Sequence, residues 1–168
     1  MEANEKVAII TGASSGIGKQ TALALLKLGY SVVLAARRAE LLEQTIKESG
    51  VAASKSLAVT TDVSDPDSVK ALFAKTKEAF GRLDLLFNNA GVSMDNGPVT
   101  ESNPATWRRV IDINLMGIYH VARAFINDMP RGGNILNTGS GAGENPQPND
   151  SSYCVSKAGL HMFTGVLA

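Results

Sequence analysis

The residues best suited to chemistry lie near the end of the chain. Ser140 follows a short apolar run, and Tyr153 and Lys157 are spaced four residues apart. Residues four apart on an α-helix share a face, and an ammonium beside a phenol favours the phenolate. This pattern suits proton transfer to or from an alcohol or carbonyl oxygen, with Ser140 hydrogen-bonding that oxygen. Taken alone, the same spacing is also typical of a solvated helix face.

A strand and a helix must position these residues. Residues 133–138 open with glycine and continue as a short apolar run typical of a buried strand, whereas residues 151–168 lack proline and are predicted to be a helix. Upstream, strands are predicted at 6–11, 30–36, 57–60 and 83–87, and helices at 17–28, 39–49, 65–80 and 104–129. This alternation predicts a Rossmann-like, doubly wound parallel sheet with helices on both faces, a three-layer α/β/α architecture.

The chain shows no linker, repeat or low-complexity tract, so residues 1–168 are interpreted as a single nucleotide-binding domain. In its first helix, we expect Ile17, Ala24, Leu25 and Leu28 to face the sheet. Ala168 lies inside the last predicted helix without a stop signal. We therefore expect a domain that is incomplete at the C-terminus, truncated after the helix that carries the tyrosine and lysine pair.

Composition narrows the class of protein. Hydrophobic residues make up 44% of the 168 residues, and 16 basic residues balance 16 acidic ones. Balanced charge gives no electrostatic case for a nucleic-acid or membrane partner. A single cysteine, a polar N-terminus and the lack of long apolar runs favour a soluble cytoplasmic protein. No metal site is predicted.

A glycine-rich loop follows the first predicted strand, where a phosphate site belongs. Gly12 permits a sharp turn, Gly16 leaves space for a pyrophosphate, and Gly18 lets the next helix approach the sheet. The N-terminus of that helix adds unpaired N–H donors. The predicted contacts of this loop are Gly12, Ser14, Ser15, Gly16, Ile17 and Gly18. An ordinary tight turn is the structural alternative.

The end of the second strand indicates which cofactor binds. An acid there would accept from the ribose 2′-hydroxyl of NAD, but the sequence has Arg37 and Arg38 instead. Arg37 can bind a 2′-phosphate, which predicts NADP(H), although both arginines could merely end the strand. Asp62 and Val63 close the third strand and are predicted to meet the adenine. A turn aspartate is the alternative there.

With these residues in place, the whole chain resembles the short-chain dehydrogenase/reductase family. Residues 11–18 are similar to the glycine motif of its compact single-domain branch, and residues 88–91 to the motif after its fourth strand. The resemblance implies a catalytic set of Asn114, Ser140, Tyr153 and Lys157. It implies further cofactor contacts from Asn89, Ala90, Gly91, Tyr153 and Lys157.

The implied reaction is hydride transfer between NADP(H) and a carbonyl or alcohol carbon of a small molecule, with ketone or aldehyde reduction as the expected direction. Tyr153 would be the acid or base, Lys157 would hold the nicotinamide ribose, and Ser140 would polarise the substrate oxygen. Asn114, at a helix kink, would link the lysine through water to solvent. The family also implies a homodimer or homotetramer through helices 104–129 and 151–168. The alternative is a truncated NADP(H)-binding form that docks to a partner without catalysis.

The sequence departs from the family locally. Residue 139 is Gly where the family commonly has Ser, so we expect a more flexible loop around Ser140. Residues 144–150 are expected to form a wall of the substrate site.

Overall fold

The computed structural model describes residues 6–94, 96–128 and 132–168. The polar residues 1–5 and the predicted helix end at Met129 lie outside this description. The described residues form five strands, Val7–Thr11 (β1), Ser31–Ala36 (β2), Ser56–Thr60 (β3), Leu85–Asn88 (β4) and Asn134–Asn137 (β5). They alternate with helices Gly16–Lys27 (α1), Ala39–Ser49 (α2), Pro66–Phe80 (α3), Pro104–Ile111 (α4), Gly117–Asp128 (α5) and Ser151–Leu167 (α6).

The strands form one parallel sheet in the order β3-β2-β1-β4-β5. The first strand pairs with β2 on one side and β4 on the other, so the direction of winding reverses between β1 and β4. Open α/β sheets bind ligands beyond the carboxyl ends of the strands at such a reversal. This confirms the predicted doubly wound sheet and indicates which edge carries the site.

Two hydrophobic clusters cover the two faces of the sheet. Ile10, Val32 and Leu34 pack with α1 and α2, whereas Ile9, Val33 and Leu86 pack with α3 and α5. β1 and β2 are buried along their whole length because both of their faces are covered. Within the described ranges, no helix is long and apolar enough to cross a membrane.

The predicted inward face of α1 is confirmed for Leu25, which packs against the cluster under α1 and α2, but it is wrong for Ile17, Ala24 and Leu28. Ile17 and Leu28 are each 64% exposed, and the buried residues are instead Gly18, Ala22 and Leu26. The cause is the close approach of the helix to the glycine loop: a Cβ at Gly18 would lie 2.5 Å from the Gly12 carbonyl oxygen. Because Gly18 faces the loop, the buried face of α1 continues through Ala22 and Leu26, and Ile17 and Leu28 are turned outward.

The last strand is not buried as predicted. β5 lies at the edge of the described sheet, and Leu136 is 54% exposed. The preceding residue, Ile135, points the other way and packs against the cluster under α5. One face of β5 is therefore covered and the other is open, so Ile135 is packed and Leu136 is exposed.

The predicted long helix from residue 104 is interrupted. The turn Asp112–Met116 between α4 and α5 is π-helical. Asn114 lies inside this turn and is fully buried, which agrees with the kink that the family resemblance implied. π-helical turns of this kind occur often at functional sites.

Candidate active site

A cavity of about 350 Å³ lies at the carboxyl ends of the strands, where the winding reverses. Most of the predicted cofactor residues line it, namely Gly12, Ser14, Ser15, Arg37, Arg38, Asp62, Val63, Asn89, Ala90 and Gly91. Five lining residues were not predicted, Ala35, Ala36, Thr61, Val92 and Ile113. Gly16, Ile17, Gly18, Tyr153 and Lys157 lie outside this lining.

The glycine loop has the backbone that a phosphate site requires. Gly12 has φ +68° and Gly16 has φ +55°, values that side-chain-bearing residues rarely adopt. A Cβ at Gly12 would lie 2.9 Å from the Cα of Ala90, whereas no atom lies within 4 Å of one at Gly16. Gly16 therefore leaves open space at the first turn of α1. Among the described residues, no side chain caps that turn, so its amides are available to an anion.

Asn89 joins the glycine loop to the end of β4. Its side-chain amide donates to the Thr11 carbonyl at 3.1 Å, and its backbone amide donates to the Thr11 hydroxyl at 3.0 Å. The same hydroxyl accepts from the Ala90 amide at 3.1 Å. These bonds fix the cavity floor, and the predicted contact of Asn89 with the cofactor stays a prediction.

The two arginines after β2 are both exposed and line the cavity. Arg38 Nη2 donates to the Ser14 hydroxyl at 3.1 Å, which draws this guanidinium towards the glycine loop. Arg37 has no hydrogen bond or ion pair within the described part of the chain. Its guanidinium is thus available to an anionic group of a ligand.

Asp62 is both a turn residue and a cavity residue. Its carboxylate accepts from the hydroxyl of Ser64 at 2.6 Å and from Arg109 Nη2 at 3.1 Å. Partial burial opposes ionisation, but the hydrogen bonds from Ser64 and the Arg109 charge outweigh it and hold the pKa of Asp62 below its ordinary value. Asp62 therefore has the turn role that was weighed from the sequence, and its contact with an adenine stays a prediction. Arg109 is a supporting residue that the sequence did not reveal.

Tyr153 and Lys157 share one face of α6, as the spacing predicted. Lys157 Nζ lies 5.5 Å from the centroid of the Tyr153 ring. The lysine is only 4% exposed, and its ammonium donates to the Thr138 carbonyl oxygen at 2.7 Å. Burial lowers the pKa of Lys157 from its ordinary value because the charged form loses hydration. A buried cation is therefore held against the phenol ring.

Ser140 begins a short helical turn, Gly141–Gly143, after β5. Its hydroxyl oxygen accepts from the Ala142 amide at 3.2 Å, which leaves the hydroxyl hydrogen free to be donated elsewhere. A Cβ at Gly143 would lie 2.8 Å from the backbone carbon of Lys157, so this turn lies directly against α6. Packing thus brings Ser140 beside the helix that carries Tyr153 and Lys157.

Asn114 connects three parts of the site. Its side-chain amide donates to the Val92 carbonyl at 2.8 Å and to the Ser156 hydroxyl at 3.1 Å, and its oxygen accepts from the Val92 amide at 2.8 Å. Ser156 in turn donates to the Tyr153 carbonyl at 2.7 Å. Both amide hydrogens of Asn114 are therefore used within the protein. The side chain joins the segment after β4 to α6.

His161 is a site residue that was not predicted from the sequence. This residue lies one turn beyond Lys157, and its Nε2 accepts from the Ser140 amide at 3.3 Å. Two signals point to it: the four-residue spacing from Tyr153 through Lys157, and the glycine at position 139. In the part of the chain that the structure describes, no group of three or more His, Cys, Asp or Glu residues could hold a metal ion.

Comparison with known proteins places this geometry in a family. The family model described as short chain dehydrogenase matches residues 6–168. The chain belongs to the short chain dehydrogenase family. A short chain dehydrogenase/reductase of Aspergillus oryzae is 39% identical over 167 residues, which are 97% of this chain and 64% of the relative.

Two further similar proteins extend the comparison. The cis-4-hydroxycyclohexanecarboxylate dehydrogenase of Sinomonas cyclohexanicum is 39% identical over 95% of this chain and 65% of its own length. A solved short chain dehydrogenase/reductase of Burkholderia phymatum, in complex with NAD, superposes with a TM-score of 0.93 at 38% identity. It is matched over 99% of this chain and 60% of that one. The chain thus spans under two thirds of the length of these relatives.

Membership establishes the family and its fold for this chain. The predicted Rossmann-like architecture is confirmed. The roles of the individual site residues and the preference for NADP(H) stay predictions.

Proposed function

We propose that the chain carries the cofactor site and catalytic centre of an NADP(H)-dependent oxidoreductase that reduces a ketone or aldehyde, or oxidises the matching alcohol. One observation carries this proposal. The buried ammonium of Lys157 lies 5.5 Å from the centre of the Tyr153 ring, on the helix against which the Ser140 turn packs. The pair thus brings an acid–base hydroxyl and a buried cation together beside the Ser140 turn, an arrangement suited to proton transfer at a substrate oxygen.

Each residue of this centre has a distinct role. In reduction, the Tyr153 hydroxyl gives its proton to the substrate oxygen, and in oxidation the phenolate takes that proton back. The free hydroxyl hydrogen of Ser140 is donated to the same oxygen and stabilises the charge that develops there. Lys157 keeps hydrogens beyond the one given to Thr138, and these hold a ribose hydroxyl. Asn114 acts by fixing α6 to the segment after β4.

The cavity suits a nicotinamide dinucleotide. Open space at Gly16 and the uncapped first turn of α1 match a pyrophosphate, and Gly12, Asn89 and Ala90 form the floor beside it. When bound, the nicotinamide supplies or accepts the hydride. Because no acid follows β2 and the Arg37 guanidinium is unpaired among the described residues, we assign the phosphorylated cofactor, NADP(H).

Replacement of Tyr153 by Phe tests the catalytic assignment. Turnover of a panel of ketones and ring alcohols, including cis-4-hydroxycyclohexanecarboxylate, should fall about 100-fold or more, because general acid–base catalysis contributes factors of this size. NADPH affinity should stay nearly unchanged, and Tyr30→Phe, away from the site, should retain full turnover. An active Tyr153→Phe variant would refute the proton-transfer role. Cofactor binding without turnover in the unaltered chain would instead favour a non-catalytic binding protein.

Replacement of Arg37 by Ala tests the cofactor assignment. Loss of a charge-assisted hydrogen bond to the 2′-phosphate should weaken NADPH binding about 10-fold or more and leave NADH binding within about 2-fold. Arg123→Ala, on the exposed surface of α5, is the matched control. Equal losses for both cofactors, or a parent chain that prefers NADH, would refute the NADP(H) assignment. Fluorescence titration of each variant measures all four affinities.

The outer faces of α5 and α6 support the predicted homodimer or homotetramer through helices 104–129 and 151–168. They expose large apolar side chains, among them Tyr119, Ile126, Val155, Met162 and Val166. Large apolar side chains exposed on neighbouring helices are characteristic of association surfaces. Sedimentation velocity checks this proposal, and a monomer at all concentrations would contradict it. We also retain a cytoplasmic location as a proposal.

A further inference from the structure

A histidine occupies the space that a side chain at position 139 would fill. A Cβ built on Gly139 would lie 2.7 Å from His161 Nε2 and 3.3 Å from its Cδ2. The backbone at Gly139 does not itself require glycine, because its φ lies outside the left-handed region. A side chain at position 139 would therefore require the imidazole ring of His161 to move from its present position.

The same ring accepts a hydrogen bond from the next residue. The Ser140 backbone amide donates to His161 Nε2 at 3.3 Å. This contact is one of a series in which side chains of α6 bind the segment that follows β5. Lys157 donates to the Thr138 carbonyl at 2.7 Å, and the Thr164 hydroxyl accepts from the Asn137 side chain at 3.0 Å. His161 holds Ser140, the residue proposed to bind the substrate oxygen.

The hydrogen bond sets the protonation state of the ring. A ring nitrogen that accepts from an N–H must carry no hydrogen, so the neutral ring has its hydrogen on Nδ1. Nδ1 lies 3.7 Å from Glu144 Oε1, and this carboxylate favours the hydrogen at that position. Among the described residues, Glu144 is the charged group in contact with the ring. Lys157 lies one turn earlier on α6. Protonation of the ring would place a second N–H against the Ser140 amide.

We propose that His161 is a positioning residue for Ser140: its unprotonated Nε2 binds the Ser140 amide while its ring fills the space beside Gly139. This inference rests on the proposed function, in which Ser140 binds the substrate oxygen. The ring replaces the packing that a side chain at position 139 would supply, so the glycine does not loosen the loop. Protonation of His161 releases Ser140 and lowers turnover on the acidic side.

A simple space-filling role is the competing explanation. A ring that only fills space would tolerate either tautomer, and an apolar residue of similar size would replace it. A ring that positions Ser140 requires an acceptor at Nε2, which glutamine can supply through its side-chain oxygen and leucine cannot. These two substitutions therefore separate the roles.

The first experiment needs no substrate. Long-range ¹H–¹⁵N spectra of the isotope-labelled chain report which ring nitrogen carries the hydrogen, and His120 on α5 serves as an internal control. We expect the Nδ1–H form for His161, with the Ser140 amide signal shifting as that ring titrates. The signal should not follow the titration of His120. An Nε2–H ring, or a Ser140 amide indifferent to the titration, overturns the inference.

The second experiment reads the function. We expect His161→Leu to lower kcat about 3- to 10-fold, the effect of one lost hydrogen bond, with the KM for cofactor unchanged. His161→Gln should retain kcat near that of the parent and lose the acidic decline, and His120→Gln should leave the pH profile unchanged. Equal activity of the leucine and glutamine variants overturns the positioning role. If neither the parent nor any variant shows turnover, the result counts against the proposed function alone. The spectra of the first experiment still decide which ring nitrogen of His161 carries the hydrogen.

Discussion

Replacement of Asn114 by Ala should destabilise the protein strongly. The side chain is fully buried and makes three hydrogen bonds, two with the backbone of Val92 and one with the Ser156 hydroxyl. At about 1 kcal/mol for each lost bond, the free energy of unfolding should fall by about 3 kcal/mol. Ser156 keeps its bond to the Tyr153 carbonyl, so most of the loss arises at Val92, whose amide and carbonyl both lose a partner.

Urea unfolding followed by circular dichroism measures this loss, and thermal unfolding should show a fall in Tm of about 6–12 °C. Asn127→Ala is the matched control, because Asn127 lies on the same helical stretch but is exposed. It should change stability by less than about 0.5 kcal/mol. Because Val92 lines the cavity, Asn114→Ala should also weaken cofactor binding. A stability within about 0.5 kcal/mol of the control would refute the view that Asn114 fixes α6 to the segment after β4.

Two further predictions concern the glycine loop and the buried lysine. Gly18→Ala should lower the free energy of unfolding by about 1–3 kcal/mol and weaken cofactor binding, because its Cβ would meet the Gly12 carbonyl. Gly97→Ala is the control and should do neither, because a Cβ at Gly97 would lie in open space. Equal urea midpoints for the two variants would contradict this prediction. Burial lowers the pKa of Lys157 in the folded protein below the ordinary 10.5, so the unfolded chain binds this proton more readily. The free energy of unfolding should therefore rise with pH between the pKa of the folded protein and about 10.5. Lys157→Met should lack that rise in urea unfolding, and parallel pH curves would show that the lysine is not the source.

The order of the elements could be predicted because it depends on local signals. Buried apolar runs define β1 and β2, and α2 has the predicted bounds Ala39–Ser49. α3 begins after Asp65, whose side chain accepts from the Asp67 amide, and it ends at Gly81 with φ +70°. Caps and glycines act within a few residues, so the sequence alone displays them.

The sequence could not predict which side chains face the core where this depends on residues that are distant in the sequence. Ile17 is exposed because Gly18 brings α1 against the Gly12 carbonyl. Hydrophobic periodicity predicted the opposite, because it assigns large apolar residues and not a glycine to the buried face. Leu136 is exposed because none of the described helices covers that face of β5, which no local pattern specifies. Both errors follow from tertiary contacts that override a correct assignment of the element.

The proposed catalytic residues were identified by their spacing and by family resemblance, but the groups that hold them are mostly backbone atoms. Lys157 remains buried because the Thr138 carbonyl accepts its ammonium at 2.7 Å, and any residue at that position would supply the same oxygen. The carbonyl reaches the lysine because Gly143 lets the segment after β5 lie against α6, where a Cβ would come within 2.8 Å of the helix backbone. A backbone acceptor leaves no mark in the sequence, whereas the glycine that admits it does. The glycines at 139 and 143 are therefore the sequence signals for how Ser140 and Lys157 are held.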